Sequence, residues 1–102
     1  MDQNTPEESN DAIDVSVVIP IYNEEGILSA SVADLTSKIA NLPDWNYEWE
    51  LILSENGSTD STVELARSLK EQYPQLRLLH SEEPNYGLAM RRGILAARGK
   101  YV

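Results

Sequence analysis

Three short polar segments of this 102-residue chain carry side chains suited to holding a small ligand. They are Pro20-Ile-Tyr-Asn-Glu-Glu25, Ser54-Glu-Asn-Gly-Ser58 and His80-Ser-Glu-Glu-Pro-Asn-Tyr-Gly87. Tyr22 offers a ring that can stack on a flat base. Asn56 offers an amide, acceptor and donor at once, that can match the edge of a pyrimidine. Glu24, Glu55, Asn85 and Tyr86 add further polar groups. Arg91 and Arg92 can neutralise a diphosphate, and residues 91–102 carry four bases (with Arg98 and Lys100) and no acid. Together these groups suit a ligand with a flat base, hydroxyls and a charged tail. Each also has a plainer role. Tyr22 can cover a sheet end, and Glu24 suits the first turn of a helix. Asn56-Gly57 is a natural turn pair, Ser58 and Asp60 suit loop and cap positions, and the arginines suit a solvated helix face. His80 reads as structural, with no second metal ligand in view.

The elements that must position these groups follow from apolar spacing. Val15-Ser-Val-Val-Ile-Pro-Ile21 is β-branched and short, a strand of the kind buried in parallel sheets, with Pro20 at its end. Asn23 is expected to cap a helix carrying Ile27, Leu28, Val32, Leu35, Ile39 and Leu42, which Pro43 ends. A second strand is expected over Trp49–Leu53, with a loop over 54–60. Ser61-x-x-Glu64 reads as a capping box opening a second helix with Val63, Ala66, Leu69 and Tyr73 on one face. A third strand is expected over Leu76–Leu79 and a polar loop over Ser81–Tyr86. A third helix is expected over Leu88–Arg98, with Gly99 at its C′ position. Lys100-Tyr-Val102 reads as the start of a fourth strand. The order is βαβαβα(β), which means an α/β fold in three layers with a mostly parallel sheet and right-handed crossovers. Ligands of such sheets bind beyond the carboxyl ends of the strands, where all three polar segments fall.

Composition removes several classes of function. Seventeen acids against eight bases give a net charge of −9, which argues against nucleic-acid binding through a basic surface. With no cysteine there is no disulfide framework, thiolate zinc site or iron–sulfur cluster, and a reducing, cytoplasmic setting fits. No apolar run reaches the roughly 18 residues of a membrane helix. G-x-G-x-x-G is missing after the first strand and G-x-x-x-x-G-K-[ST] is missing throughout, which speaks against a dinucleotide or P-loop site. Residues 1–14 are acidic and nearly free of apolar side chains, the composition of a disordered tail. Residues 15–102 then form the folded part. The last helix has no following strand to return to, so the chain is expected to be truncated at the start of the fourth strand.

The three segments, taken together, resemble family 2 glycosyltransferases of the GT-A fold. Val-Ser-Val-Val-Ile-Pro-Ile-Tyr-Asn-Glu-Glu (15–25) is similar to the family's opening. Glu-Asn-Gly-Ser-Thr-Asp-Ser-Thr (55–62) stands where the family usually has Asp-Asp-Gly-Ser-x-Asp-x-Thr. Asn85-x-Gly87, followed by Ala89, Arg91, Gly93 and Ala97-x-Gly99, resembles its third motif. The motifs occur in family order and span residues 15–102.

The resemblance implies the N-terminal, nucleotide-binding half of a GT-A fold. It implies a nucleoside-diphosphate sugar as donor, with base and ribose near Pro20, Tyr22, Glu24, Glu55 and Asn56. Asn85 and Arg91 would lie toward the ribose and diphosphate. The implied reaction is sugar transfer to an acceptor hydroxyl or phosphate. That chemistry needs a base for the acceptor proton, positive charge at the leaving diphosphate, and an in-line anomeric centre. In the family a divalent metal, Mg or Mn, supplies part of that charge. Its ligands, the catalytic base and the acceptor site are expected after residue 102, so this chain is expected to be inactive alone. A full-length form would work at the cytoplasmic face of a membrane. The alternative is a stand-alone nucleotide-binding or regulatory module with no catalysis. Glu55-Asn56 departs from the usual Asp-Asp pair and leaves the base unspecified.

Overall fold

A computed structural model describes residues 13–102 of the chain. The tail expected over 1–14 lies outside the described residues except for Ile13 and Asp14. Asp14 is tied to the fold: its N–H donates to the Glu48 carbonyl at 2.8 Å and its carboxylate accepts from the Glu48 N–H at 3.0 Å.

Three strands alternate with three helices. These are β1 (Val15–Ile21), α1 (Leu28–Ala40), β2 (Trp49–Asn56), α2 (Thr62–Gln72), β3 (Leu76–Ser81) and α3 (Tyr86–Ala96). The sheet is parallel in the order β1-β2-β3, so each connection must cross over the sheet, and a helix does so each time. The α/β class and strand–helix order expected from the sequence are found, in keeping with the N-terminal half of a GT-A fold.

Period-2 alternation sends β2 side chains to two unlike faces. Leu51 and Leu53 join Ile21, Leu28, Val32, Ala66, Leu69 and Leu76 in a buried apolar cluster beneath α1 and α2. The other face lies under α3, whose buried Ala89 and Gly93 allow close approach. The Ser54 hydroxyl on that face donates to the Ala89 carbonyl at 2.7 Å.

β1 is an edge strand among the described residues, which explains how Pro20 is tolerated. The Ser16 N–H points outward, donating to the Tyr101 carbonyl at 2.8 Å. The same alternation turns the Pro20 nitrogen outward, where no bond of the β1–β2 ladder is lost. The expected start of a fourth strand is present as a single parallel bridge between Val15 and Tyr101.

Several boundaries differ from expectation, each for a local reason. β2 runs on through Ser54, Glu55 and Asn56, all buried, because these polar side chains find partners inside the fold. β3 likewise includes His80 and Ser81. Asn23 is not an N-cap: it takes a left-handed φ of 50°, and α1 begins only after a turn in which the Glu24 carbonyl accepts from the Ile27 and Leu28 N–H groups at 3.1 and 2.9 Å. Ser61 makes no side-chain cap bond. Asp60 does that work, accepting from the Thr62 N–H at 2.9 Å. α3 starts two residues early, capped by Asn85, whose side chain accepts from the Leu88 N–H at 2.9 Å. It ends at Ala96 with an extended Ala97. Gly99 is therefore not a C′ residue. A Cβ there would come within 2.7 Å of the Ser16 nitrogen, so glycine is required by the chain's passage against β1.

Candidate ligand site at the carboxyl edge

The loops after β1 and β2 are joined by a dense set of hydrogen bonds centred on Asn23. Its N–H donates to Ser58 Oγ at 2.9 Å, and its Oδ1 accepts from the Thr59 N–H at 2.7 Å and the Asp60 N–H at 3.3 Å. The Glu24 N–H donates to Thr62 Oγ1 at 2.8 Å. Glu25 exchanges bonds with the opposite loop, its N–H reaching Asp60 Oδ2 at 3.3 Å and its carboxylate accepting from the Ser61 N–H at 2.6 Å. Burial would push the Asp60 carboxyl up, but the Thr62 hydroxyl and N–H and the Glu25 N–H bond its ionised form and hold it below the ordinary aspartate value. Most polar groups of the Gly-Ser-Thr-Asp-Ser-Thr segment are thus engaged in fixing one loop to the other. Asn23 accounts for its own left-handed backbone, a conformation asparagine tolerates.

That clasp sets apart the groups that remain available. Tyr22, 43% exposed, follows β1 at the sheet end. Glu24 is half-buried, and its carboxylate has no hydrogen-bond partner among the described residues. Asn56 is 4% exposed and its Nδ2 donates to the Ile21 carbonyl at 2.9 Å. A carbonyl oxygen can only accept, so the amide orientation is fixed and Oδ1 is left as an acceptor. Oδ1 has no partner among the described residues. An aspartate here would set acceptor against acceptor, which gives a physical reason for asparagine at this place.

Glu55 behaves differently from its neighbour. Its side chain is fully buried, pointing to the α1/α2 face. One carboxylate oxygen accepts from the Ser58 N–H and the other from His80 Nδ1. Burial alone would raise its pKa, but the Ser58 and His80 bonds outweigh that and hold it below the ordinary glutamate value. An ionised carboxylate only accepts, so His80 Nδ1 carries the proton.

The third loop is locked against the second. Gly57 has a φ of 69° and its N–H donates to the Ser81 carbonyl at 2.7 Å. A Cβ there would lie 2.6 Å from the Pro84 nitrogen. Glycine is needed twice over, for the left-handed backbone and for the packing of Glu83-Pro84. Asn85 borders the same edge, but its Oδ1 is used as the α3 cap. Arg91 is not brought to the cluster. It is two residues from both Ala89 and Gly93, which face the sheet, so it projects from the outer side of α3. Pro20 lies half-buried in β1, two residues before Tyr22. The sequence-expected residues therefore divide. Pro20, Tyr22, Glu24 and Asn56 gather at the carboxyl ends of β1 and β2, with Asn85 beside them; Glu55 lies beneath; Arg91 stands apart.

Sequence reasoning missed a polar cluster at the amino end of the sheet. Glu50, 3% exposed, accepts from Ser16 Oγ at 2.6 Å, Arg77 at 2.9 Å and the Arg98 N–H at 2.8 Å. Arg77 also donates to the Ala96 carbonyl at 2.9 Å, and the Gly99 N–H donates to Ser16 Oγ at 2.8 Å. Burial opposes ionisation of Glu50, and the Ser16, Arg98 and Arg77 donors overcome it, so its pKa too lies below the ordinary value. The only sequence signal was an acid inside an apolar strand.

The acids of the carboxyl edge do not make a metal site. Glu55, Asp60 and Glu25 are engaged as above, and among the described residues no three carboxylate or imidazole groups converge to hold a cation. Nor, among them, is any helix long and apolar enough to cross a membrane.

Comparison with known proteins adds an independent finding. The family description "Glycosyl transferase family 2" matches residues 16–102. An uncharacterized glycosyltransferase of Escherichia coli, YibD, is 38% identical over 88 residues, 86% of this chain and 24% of its own length. A dolichyl-phosphate beta-glucosyltransferase of Dictyostelium discoideum is 39% identical over 97 residues, 89% of this chain and 29% of its own length. A dodecaprenyl-phosphate galacturonate synthase of Rhizobium johnstonii is 34% identical over 94 residues, 89% of this chain and 27% of its own length. The chain thus spans under a third of each of these relatives.

Proposed function

The chain belongs to glycosyl transferase family 2, and we propose that the carboxyl edge of its sheet binds the nucleoside diphosphate of a sugar donor. The observation that carries this is Asn56, a buried amide fixed by the Ile21 carbonyl with one acceptor atom left over. In this reading Oδ1 accepts an N–H of the base, as uracil or guanine can offer. The Tyr22 ring stacks on the base, and Pro20 shapes the end of β1 beneath it. The Glu24 carboxylate accepts from ribose hydroxyls. Asn85 acts by capping α3, whose first N–H groups border the ribose and diphosphate. Arg91 reaches the diphosphate only if the phosphates lie over α3. Glu55 supports the pocket from below.

The activity proposed for the whole transferase is sugar transfer from that donor to an acceptor hydroxyl or phosphate. Two of the relatives are named for dolichyl and dodecaprenyl phosphates, which supports a polyprenyl phosphate as acceptor; the site of work proposed with it is the cytoplasmic face of a membrane. The family's divalent metal would be held by residues other than the acids of this edge.

Calorimetric titration of the chain with UDP, GDP and inorganic pyrophosphate tests the donor site. One nucleotide should bind at least tenfold more tightly than pyrophosphate, about 1.4 kcal/mol, and Tyr22→Ala or Asn56→Ala should remove the difference. Equal binding of all three would contradict the proposal.

A further inference from the structure

We propose that His80 is a positioning residue for the donor pocket, acting through Glu55 on the loop that holds Asn23 and Tyr22. The inference rests on the donor-binding reading above and adds to it a residue that makes no contact with the ligand.

The connection can be followed bond by bond across the sheet. His80 stands opposite Glu55 in the parallel register of β3 on β2, so both side chains lie on the α1/α2 face. His80 Nδ1 donates to one oxygen of the Glu55 carboxylate, and the Ser58 N–H donates to the other. Ser58 Oγ in turn accepts from the Asn23 N–H at 2.9 Å, next to Tyr22. Four residues from three separate segments thus form one series, from β3 to the loop after β1.

Two features make His80 the member that sets the others. The Glu55 side chain is fully buried, with Ser58 bonded to one carboxylate oxygen and His80 to the other, so loss of the imidazole leaves one oxygen of a buried anion unsatisfied. Such a carboxylate must take a proton, which weakens its bond to the Ser58 N–H, or turn toward water, which releases that N–H. His80 itself is 39% exposed at its side chain, so replacing it opens no core cavity. Glu82, with a carboxylate oxygen 3.8 Å from Nε2, is beyond hydrogen-bond reach and does not fix the ring.

His80→Ala removes the donor, while His80→Asn keeps an N–H near the Nδ1 position. Amide hydrogen exchange at Ser58 and Asn23 reads the series directly, and UDP titration reads its effect on the pocket. His80→Ala should speed exchange at both amides and weaken UDP binding about tenfold. His80→Asn should restore much of both. Leu65→Ala, which trims an α2 side chain packed on the core, should lower the melting temperature and leave UDP affinity unchanged. Unaltered exchange in His80→Ala, no recovery in His80→Asn, or an affinity loss that merely follows melting temperature as in Leu65→Ala would each overturn the proposal. If the unaltered chain binds UDP no better than pyrophosphate while His80→Ala still loosens Ser58, the donor-binding reading fails and the positioning role for a donor fails with it. If UDP binds selectively and His80→Ala is silent, only the role of His80 fails.

Discussion

Strand β2 carries two buried glutamates that answer the same problem at opposite ends of the sheet. Glu50, near the amino end, faces α3. Glu55, near the carboxyl end, faces α1 and α2. Both are nearly inaccessible and both stay ionised because donors outweigh burial. Their partners differ. Glu50 is held by Arg77, a permanent cation, together with Ser16 and the Arg98 N–H, and these bonds tie β1, β3 and the segment after α3 to the central strand. Glu55 is held by one imidazole and by Ser58, and in the role proposed for it these set the loop that meets Asn23, next to Tyr22. The same side chain serves as a structural brace where its partners lie in packed secondary structure. At the carboxyl end, where its partners lie toward the loops, it supports the proposed site.

The sharpest way to break this contrast is to remove the brace. Glu50→Ala removes the buried carboxylate shared by Ser16, Arg77 and the Arg98 N–H, and leaves Arg77 with the Ala96 carbonyl. It should cost about 2–3 kcal/mol, discounted because Arg77 is partly exposed, seen as a lower urea midpoint, with UDP affinity unchanged wherever the chain is folded. Glu55→Gln should do the reverse, with a smaller loss of stability and a larger loss of UDP affinity. Equal effects on both readouts from both substitutions would erase the distinction.

Next in size is the packing at the carboxyl edge. Gly57→Ala forces a side chain into a left-handed backbone and against the Pro84 nitrogen. About 2 kcal/mol of stability should be lost, with the largest amide shifts in residues 81–86 and little change around Glu50.

The smallest effect expected is on the pH dependence of stability. Both glutamates have lower pKa values folded than unfolded, so the unfolded chain binds more protons in the acid range. Their contribution is complete above the ordinary glutamate range and is lost as pH falls through the folded-state values. Urea midpoints measured between pH 7 and pH 3 should fall toward acid, and Glu50→Gln should flatten that slope. A slope unchanged by the substitution would remove Glu50 from the acid transition.

How much of this was legible in the sequence depended on where polar side chains find partners. The apolar stretches gave the strand–helix order, since Val15–Ile21 and the Leu28/Val32/Ile39 spacing admit few other readings. The ends of β2 and β3 were not legible. Ser54-Glu55-Asn56 has loop composition, and only the ladder with Ile21 and Ser81 makes it strand. Asn23 had the right type for a cap and the wrong backbone, because its bonds lie some 36 residues away on the next loop. Asn85 has the type for a ligand contact, and its side chain is used as a cap. Glu50 carried no motif at all, since Ser16, Arg77 and Arg98 converge on it only through the fold. The carboxyl edge as the candidate site follows from topology alone; the division there between clasp residues and free groups needed the geometry.

The most direct test of the central claim, that the carboxyl edge binds the donor and the amino end braces the fold, is amide chemical-shift mapping of UDP and GDP on the isotope-labelled chain. The expected result is a set of shifts at Tyr22, Asn56, Ser58 and Tyr86 that pyrophosphate does not reproduce, with Ser16, Glu50 and Arg98 unmoved. Shifts centred on Ser16, Glu50 and Arg98, or a pattern identical for nucleotide and pyrophosphate, would contradict it.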